Sequence, residues 1–238
     1  MARQAIPRPP WARRAEPPSG AFDLEDAAVG LTMGAVREAF AAPILNPRDQ
    51  GEALVAGAAG AAGAAVLIVL APVDEHDGDP AASVVLIRRA AHLRANPGEI
   101  AFPGGRIEPG EEPLAAALRE AAEEVALLPG AVELLGELPM VSVYRRGTPI
   151  LPFVAAASQR PLVEANPDEV DCVLVVPLGE LVAPGRYWQE RWDRGQGEPR
   201  VMHFFDLGED VIWGATAWML YALFLRVLDW RPGPPVLP

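Results

Sequence analysis

Chemistry is most legible where acidic residues recur at fixed spacing, in Gly104-Gly105-Arg106-Ile107-Glu108-Pro109-Gly110-Glu111 and in the Arg119-Glu120-Ala121-Ala122-Glu123-Glu124 that follows. The second run sits in a segment that opens at Pro113 and carries Leu114, Leu118, Ala121 and Val125 at helical intervals. At 100° per residue those apolar side chains gather on one side, and Glu120, Glu123 and Glu124 fall within an arc on the other. The carboxylates occupy the C-terminal half of the expected helix, where the macrodipole is already negative and like charges four apart repel. Such a cluster is unfavourable unless something positive joins it. Oxygen-only donors suit a hard cation such as Mg²⁺ or Mn²⁺, which keeps several waters and bridges phosphate oxygens. Arg119, four residues before Glu123, is placed to hold that carboxylate. Gly105 lets the backbone run close to a metal and offer its carbonyl as a further ligand. The bland alternative is a solvated acidic helix face. At roughly 0.07 per position, six specified residues match by chance on the order of 10⁻⁷ per start, before allowing for Glu-rich helices.

The segment from Gly105 to Leu127 resembles the Nudix box of the Nudix hydrolases: Gly, five residues, Glu, seven residues, Arg-Glu, an apolar residue, any residue, Glu-Glu, any residue, Gly, an apolar residue. The resemblance implies an α/β protein, a Nudix-type α/β/α sandwich around a mixed β-sheet, with the box as a loop and helix on one side. It implies that Glu120, Glu123 and Glu124 are metal ligands or the base, and that Glu111 and Arg119 support the loop and helix. The activity implied is metal-assisted hydrolysis of a diphosphate, with water attacking phosphorus in line and no covalent enzyme intermediate. Two positions depart from the pattern: Ala121 is smaller than the usual branched residue, and Ala126 stands where the family has Gly. Without that glycine the helix is expected to run about half a turn further, to Leu128, before Pro129-Gly130 stops it.

Upstream, the run from Leu86 to Gly105 is similar to the signature of the coenzyme A pyrophosphatase branch, matching it at Arg89, Leu93, Arg94, Gly98 and Phe102 to Gly105. Ala90, Asn96 and Glu99 differ from that branch's Ser, His and Gln, and Ile212-Trp213-Gly214-Ala215-Thr216-Ala217 also resembles the branch. The resemblance implies coenzyme A or its thioesters as substrate, cut to 3′,5′-ADP and 4′-phosphopantetheine or its acyl form. ADP-ribose or a dinucleotide is the alternative, and a non-catalytic nucleotide binder a second. Physically, Arg88, Arg89, Arg94 and Arg106 form the densest basic cluster near the box, and guanidinium forks suit phosphate oxygens. Pairing with neighbouring acids is the competing reading for each. His92 has no second His or Cys at ligand spacing and reads as a surface or packed residue. Glu164, Glu169, Asp171 and Glu180 are downstream candidates to complete a metal shell, and spacing does not choose among them.

The elements that must position these residues alternate β-rich runs with turn signals. Strands are expected at Ala65 to Leu70, Val84 to Arg88, Ile100 to Phe102, Val132 to Leu138, Ile150 to Ala155, Cys172 to Val176 and Val201 to Phe205. Helices are expected from Pro113 to about Leu128 and from Ala215 to about Leu228, with a partial helical pattern between Phe22 and Phe40. Helices lying among strands fit packing on the faces of a mixed sheet. Residues 1–20 hold five prolines among scattered arginines and read as a flexible arm, with residues 21–238 forming a single Nudix hydrolase domain.

Of the 238 residues, 50% are hydrophobic and 22% charged, enough to build a sizeable core. The formal net charge of -12 argues against a nucleic-acid partner, which would require a clustered basic footprint. The expected partner is a small-molecule nucleotide, and the oligomeric state is left open, a homodimer being one option. A lone cysteine, Cys172, excludes an internal disulfide. The apolar stretch from Ala53 to Pro72 is half Ala/Gly and half strand-like, and Val211 to Leu225 is short for a bilayer crossing, so no membrane span is expected. The prolines near the N-terminus leave no signal-peptide core, which makes the cytoplasm the expected location.

Overall fold

A computed structural model of the chain describes residue 6 and residues 12–15, 30–41, 63–74, 78–142, 148–192 and 200–228. At its centre is strand β2 (Ala64–Pro72), whose residues are almost all buried. Its sequence is continuously apolar because both faces are covered. Val66, Ile68 and Leu70 enter one core, and Ala65, Leu67 and Val69 enter another on the opposite side.

Around it the main sheet adds β3 (Ala82–Arg89), β4 (Ile100–Ala101), β5 (Gly104–Arg106), β6 (Val132–Glu137), β7 (Val141–Ser142), β8 (Pro149–Ala157) and β9 (Val170–Pro177). The order is β4-β3-β2-β8-β6, with β5 on β2, β7 on β8 and β9 on β3. β2 and β8 run parallel, from Ala64 opposite Ile150 to Leu70 opposite Ala156, and the other pairs are antiparallel. The sheet is therefore mixed.

Helix α1 (Met33–Ala41) and helix α4 (Gly214–Val227) cover the face formed by Val66, Ile68, Leu70, Val84 and Leu86. Helix α2 (Pro113–Val125) covers the other face through Ala116, Ala117, Ala121 and Val125, against Ala65, Leu67, Val69, Val85 and Ile87. The small Ala121 lets α2 lie close to the sheet. The expected Nudix α/β fold, helices on both faces of a mixed sheet, is the observed one. A short helix α3 (Leu178–Leu181) follows β9.

A second, four-stranded sheet has the order β1-β10-β11-β12, built from β1 (Ala12–Ala15), β10 (Tyr187–Trp192), β11 (Arg200–Asp206) and β12 (Val211–Ile212). Its aromatic residues meet α4, Phe205 lying 5.8 Å from Phe224 and Tyr187 stacked 6.3 Å from Tyr221 between ring centroids. β1 falls within residues 1–20, where a flexible arm was expected, and pairs antiparallel with β10. The apolar run from Val211 is β12 followed by α4, most of it buried, and no helix among the described residues is long and apolar enough to cross a membrane. The first half of the Ala53–Pro72 stretch, and the Phe22 end of the first helical pattern, lie outside the described residues.

Candidate active site and metal centre

The site is assembled where β5 passes under α2. β5 runs antiparallel to the start of β2, with Gly105 opposite Ala65 and Gly104 opposite Val66. Gly104 has φ 150°, and a Cβ there would lie 2.4 Å from the Ala65 carbonyl oxygen and 2.5 Å from the Val66 Cα. Only glycine allows that approach of two backbones. A Cβ on Gly105 would fall 2.4 to 2.6 Å from the carboxyl atoms of Glu120. Gly105 is thus the bare surface on which Glu120 rests, a role additional to the carbonyl that it could offer a metal.

Arg119 organises the loop before the helix. Its Nε and Nη2 donate to the two carboxylate oxygens of Glu111 at 2.9 and 3.1 Å, and Nη2 also donates to the Arg106 carbonyl at 3.1 Å. Nη1 donates to Glu120 at 3.0 Å and to Glu123 at 3.1 Å. Glu111 also accepts the Glu108 amide at 3.0 Å, closing the loop on itself. The hydrogen bonds from Arg119 hold the Glu111 carboxyl below its ordinary range, and Glu111 in turn raises the Arg119 guanidinium above its own. The expected Arg119–Glu123 pair is present, but the forked partner of Arg119 is Glu111.

The three helical carboxylates do not stand alike. Glu120 and Glu124, separated by about 40° around the helix, turn toward β5, whereas Glu123 lies on the solvent side, its side chain 54% exposed. Glu124 is 1% exposed and accepts the Gly104 amide at 2.9 Å and the Arg89 guanidinium at 3.4 Å. Burial pushes its carboxyl up to about 7, against the pull of that amide and of Arg89. Burial also raises Glu120, with Glu123 and Glu169 adding like charge against the opposing pull of Arg119. Carboxylate oxygens of Glu120, Glu124 and Glu169 lie within 4.8 Å of one another. Glu169 arrives from the turn before β9, and among the four downstream acids this placement distinguishes it. No spacing in the sequence signals it; Asn166-Pro167-Asp168 announces a turn without saying where the turn lands.

An all-oxygen set of converging carboxylates, two of them held above their ordinary range by burial and mutual repulsion, fits a hard divalent cation. Glu120, Glu124 and Glu169 are the groups that would hold it.

The four arginines have separate fates. Arg88 is engaged by Asp210 and by Asp171, the latter at 3.1 Å, and the Asp210 bond raises its guanidinium above the ordinary value. Arg89 reaches Glu124 and faces Glu99, whose carboxyl burial raises and Arg89 lowers. Arg94 and Arg106 are exposed. Of the four, Arg89 alone bonds a carboxylate of the cluster among the described residues.

The helix end departs from expectation. α2 stops at Val125, and Ala126 takes the left-handed conformation at φ 55°, rather than continuing to Leu128. The Ala126 amide reaches back to the Ala122 carbonyl at 3.1 Å, the single bond of a left-handed cap of the kind Gly usually forms, and the Leu127 amide reaches the Ala121 carbonyl at 3.3 Å. A left-handed alanine costs about 1–2 kcal/mol. Burying Leu127, 2% exposed in the core beneath α2, returns about 1.5–3 kcal/mol. Packing therefore decides the helix end against local preference.

A mixed sheet between helices, with a glycine loop feeding a helix of clustered carboxylates, defines the class. The NUDIX domain family matches residues 62–196, more than half of the chain, and the chain belongs to the Nudix hydrolases, enzymes acting on pyrophosphate bonds. It is 38% identical over 154 residues to the uncharacterized Nudix hydrolase NudL of Salmonella paratyphi B, covering 62% of this chain and 77% of that one, and to NudL of Salmonella newport at the same level. Among solved structures, a MutT/nudix family protein from Enterococcus faecalis aligns over 74% of this chain and 65% of its own, with a TM-score of 0.50 and 20% identity, a likeness of fold.

Proposed function

We propose that this hydrolase cleaves the diphosphate of coenzyme A or its thioesters, giving 3′,5′-ADP and 4′-phosphopantetheine or its acyl form, with Mg²⁺ or Mn²⁺. The observation that carries the reading is the contact of Arg89, first residue of the upstream signature, with Glu124 of the box. The loop from Arg89 to Gly105 thereby borders the carboxylate cluster. Its shape follows from Gly98, whose φ of 68° lets its amide donate to the Arg89 carbonyl at 3.1 Å while the Arg89 amide donates to the Glu99 carbonyl at 3.0 Å. Closing the loop this way carries Arg94 out to solvent, where its guanidinium is open to a ligand phosphate.

The bound cation would neutralise the diphosphate and lower the cost of ionising a water. Glu120, Glu124, Glu169 and the Gly105 carbonyl are assigned to holding it. Glu123, outside that trio and oriented by Arg119, is assigned to taking the proton from the attacking water. Arg89, Arg94 and Arg106 are assigned to the substrate phosphates, with Arg88, bound by two acids, supporting β3 and β9 beneath them.

ADP-ribose or a dinucleotide is a second reading, favoured by Glu99, which sets a negative charge beside Arg89 where the coenzyme A branch has a neutral amide. Measuring kcat/KM for coenzyme A, dephospho-coenzyme A and ADP-ribose under one metal condition, with product identification, decides between them. Hydrolysis of ADP-ribose about tenfold better than coenzyme A, a difference of about 1.4 kcal/mol in transition-state binding, would reject the coenzyme A reading.

A further inference from the structure

The acid that completes the cluster sits on a turn, and one side chain ties that turn to the helix bearing the other two. The segment preceding β9 docks on the C-terminal end of α2, where a helix leaves its last carbonyls without partners of its own. The Glu164 amide donates to the Val125 carbonyl at 3.0 Å, and the Asn166 amide to the Glu124 carbonyl at 2.9 Å. Asn166 Nδ2 donates to the Glu123 carbonyl at 3.2 Å. Asn166 also bonds forward: its Oδ1 accepts the Asp168 amide at 3.1 Å, and its carbonyl accepts the amides of Glu169 at 3.0 Å and Val170 at 2.8 Å. One residue thus joins the backbone of Glu123 and Glu124 to the backbone of Glu169. From the other side the loop after β3 steadies the same turn, the Ala90 amide donating to the Glu169 carbonyl at 2.9 Å and His92 Nε2 to the Asp168 carbonyl at 3.0 Å.

We propose that Asn166 is the positioning residue that sets Glu169 against Glu120 and Glu124, and so determines the affinity of the site for a divalent cation. The proposal rests on reading that trio as the cation site. Asparagine suits the place because its amide supplies a donor to the helix and an acceptor to the turn at once. Aspartate keeps the acceptor but has no donor, and alanine has neither.

The test is Mn²⁺ titration of the full chain by calorimetry, with melting curves to confirm folding. Asn166→Ala is expected to weaken Mn²⁺ binding by about tenfold or more, and Asn166→Asp to weaken it less. Asn166→Asp serves alone if the alanine variant does not fold. In a Glu169→Gln background the same substitution should change affinity by less than about twofold, because its effect passes through Glu169. Wild-type affinity in Asn166→Ala and Asn166→Asp, or an undiminished loss in the Glu169→Gln background, would overturn the proposal. Should Glu169→Gln leave affinity unchanged while Glu120→Gln abolishes it, the proposal falls and the helical half of the site stands. If neither acid matters, the reading of the cation site falls as well.

Discussion

Replacing Glu124 by Gln should make the metal-free protein more stable at alkaline pH, although it removes a proposed ligand. Glu124 is buried, and its carboxyl is raised from an ordinary 4.5 to about 7. The folded state therefore holds a proton that the unfolded chain has released across that interval. The stabilisation this gives is full below 4.5, declines as pH rises toward 7, and is absent above. At 1.36 kcal/mol per unit the loss is about 3 kcal/mol, all of it carried by a side chain that Gln replaces in shape while still accepting the Gly104 amide. For a chain of this size 1 kcal/mol moves the melting temperature by about 2–4 °C, so Glu124→Gln should melt about 6–12 °C above wild type at pH 8 in chelator. Near pH 4.5 the two should nearly coincide. Calorimetric scans at both pH values, repeated with excess Mn²⁺, test the whole chain of reasoning, since the cation should stabilise wild type and leave the variant largely unchanged. Wild-type and variant melting curves that stay parallel from pH 4.5 to 8 would refute the buried, repulsive carboxylate.

Three further outcomes are expected. Deprotonating Glu124 is required for it to bind a cation, so apparent Mn²⁺ affinity should rise by up to about tenfold per pH unit below 7 and level off above; titration calorimetry in buffers of different ionisation enthalpy would also detect the released proton. Ala126→Gly should stabilise the fold by up to about 1 kcal/mol, read as a shift in urea midpoint at constant slope, because glycine enters the left-handed conformation without strain. Arg94→Ala should lower kcat/KM for coenzyme A by about ten- to a hundredfold, the effect of losing about 1.5–3 kcal/mol of charge-assisted contact. A smaller loss for dephospho-coenzyme A would locate that contact at the 3′-phosphate, and equal rates in variant and wild type would remove Arg94 from the site.

The sequence was most informative where periodicity and fixed spacing coincide. β2, β3, β8 and β9 lie where continuous apolar runs put them, and α2 begins at Pro113 as expected. β5 was not expected, because Gly104-Gly105-Arg106 has no strand propensity; it is a strand through pairing with β2, a tertiary effect. β10 was likewise unseen, since Tyr187-Trp188-Gln189-Glu190-Arg191-Trp192 alternates weakly and its polar members are buried only once β11 and α4 are beside it. The arc of carboxylates followed from helical geometry, but which of them face inward did not, because that depends on where β5 lies. Glu169 was one of four downstream acids that spacing could not rank, and Asn166 gave no signal, because both depend on where the turn before β9 docks on α2. Arg88 and Arg89 are neighbours in sequence and belong to opposite sides of a strand, so one meets Asp210 and the other Glu124.

The parallel pairing of β2 with β8 encloses the whole box, because α2 and β5 both lie between the two strands in the chain. During synthesis the carboxylates of α2 leave the ribosome well before β8 and the turn that carries Glu169. Glu124 precedes Glu169 by 45 residues, an interval of about 2–9 s at usual elongation rates. For the first part of it the nascent helix has no strand β8 beside its sheet, and until its end no turn is docked on its last carbonyls. If the trio holds a cation as proposed, capture is deferred until the long-range strands have joined, and the appearance of tight Mn²⁺ binding on a ribosome-bound chain would mark the moment the sheet closes.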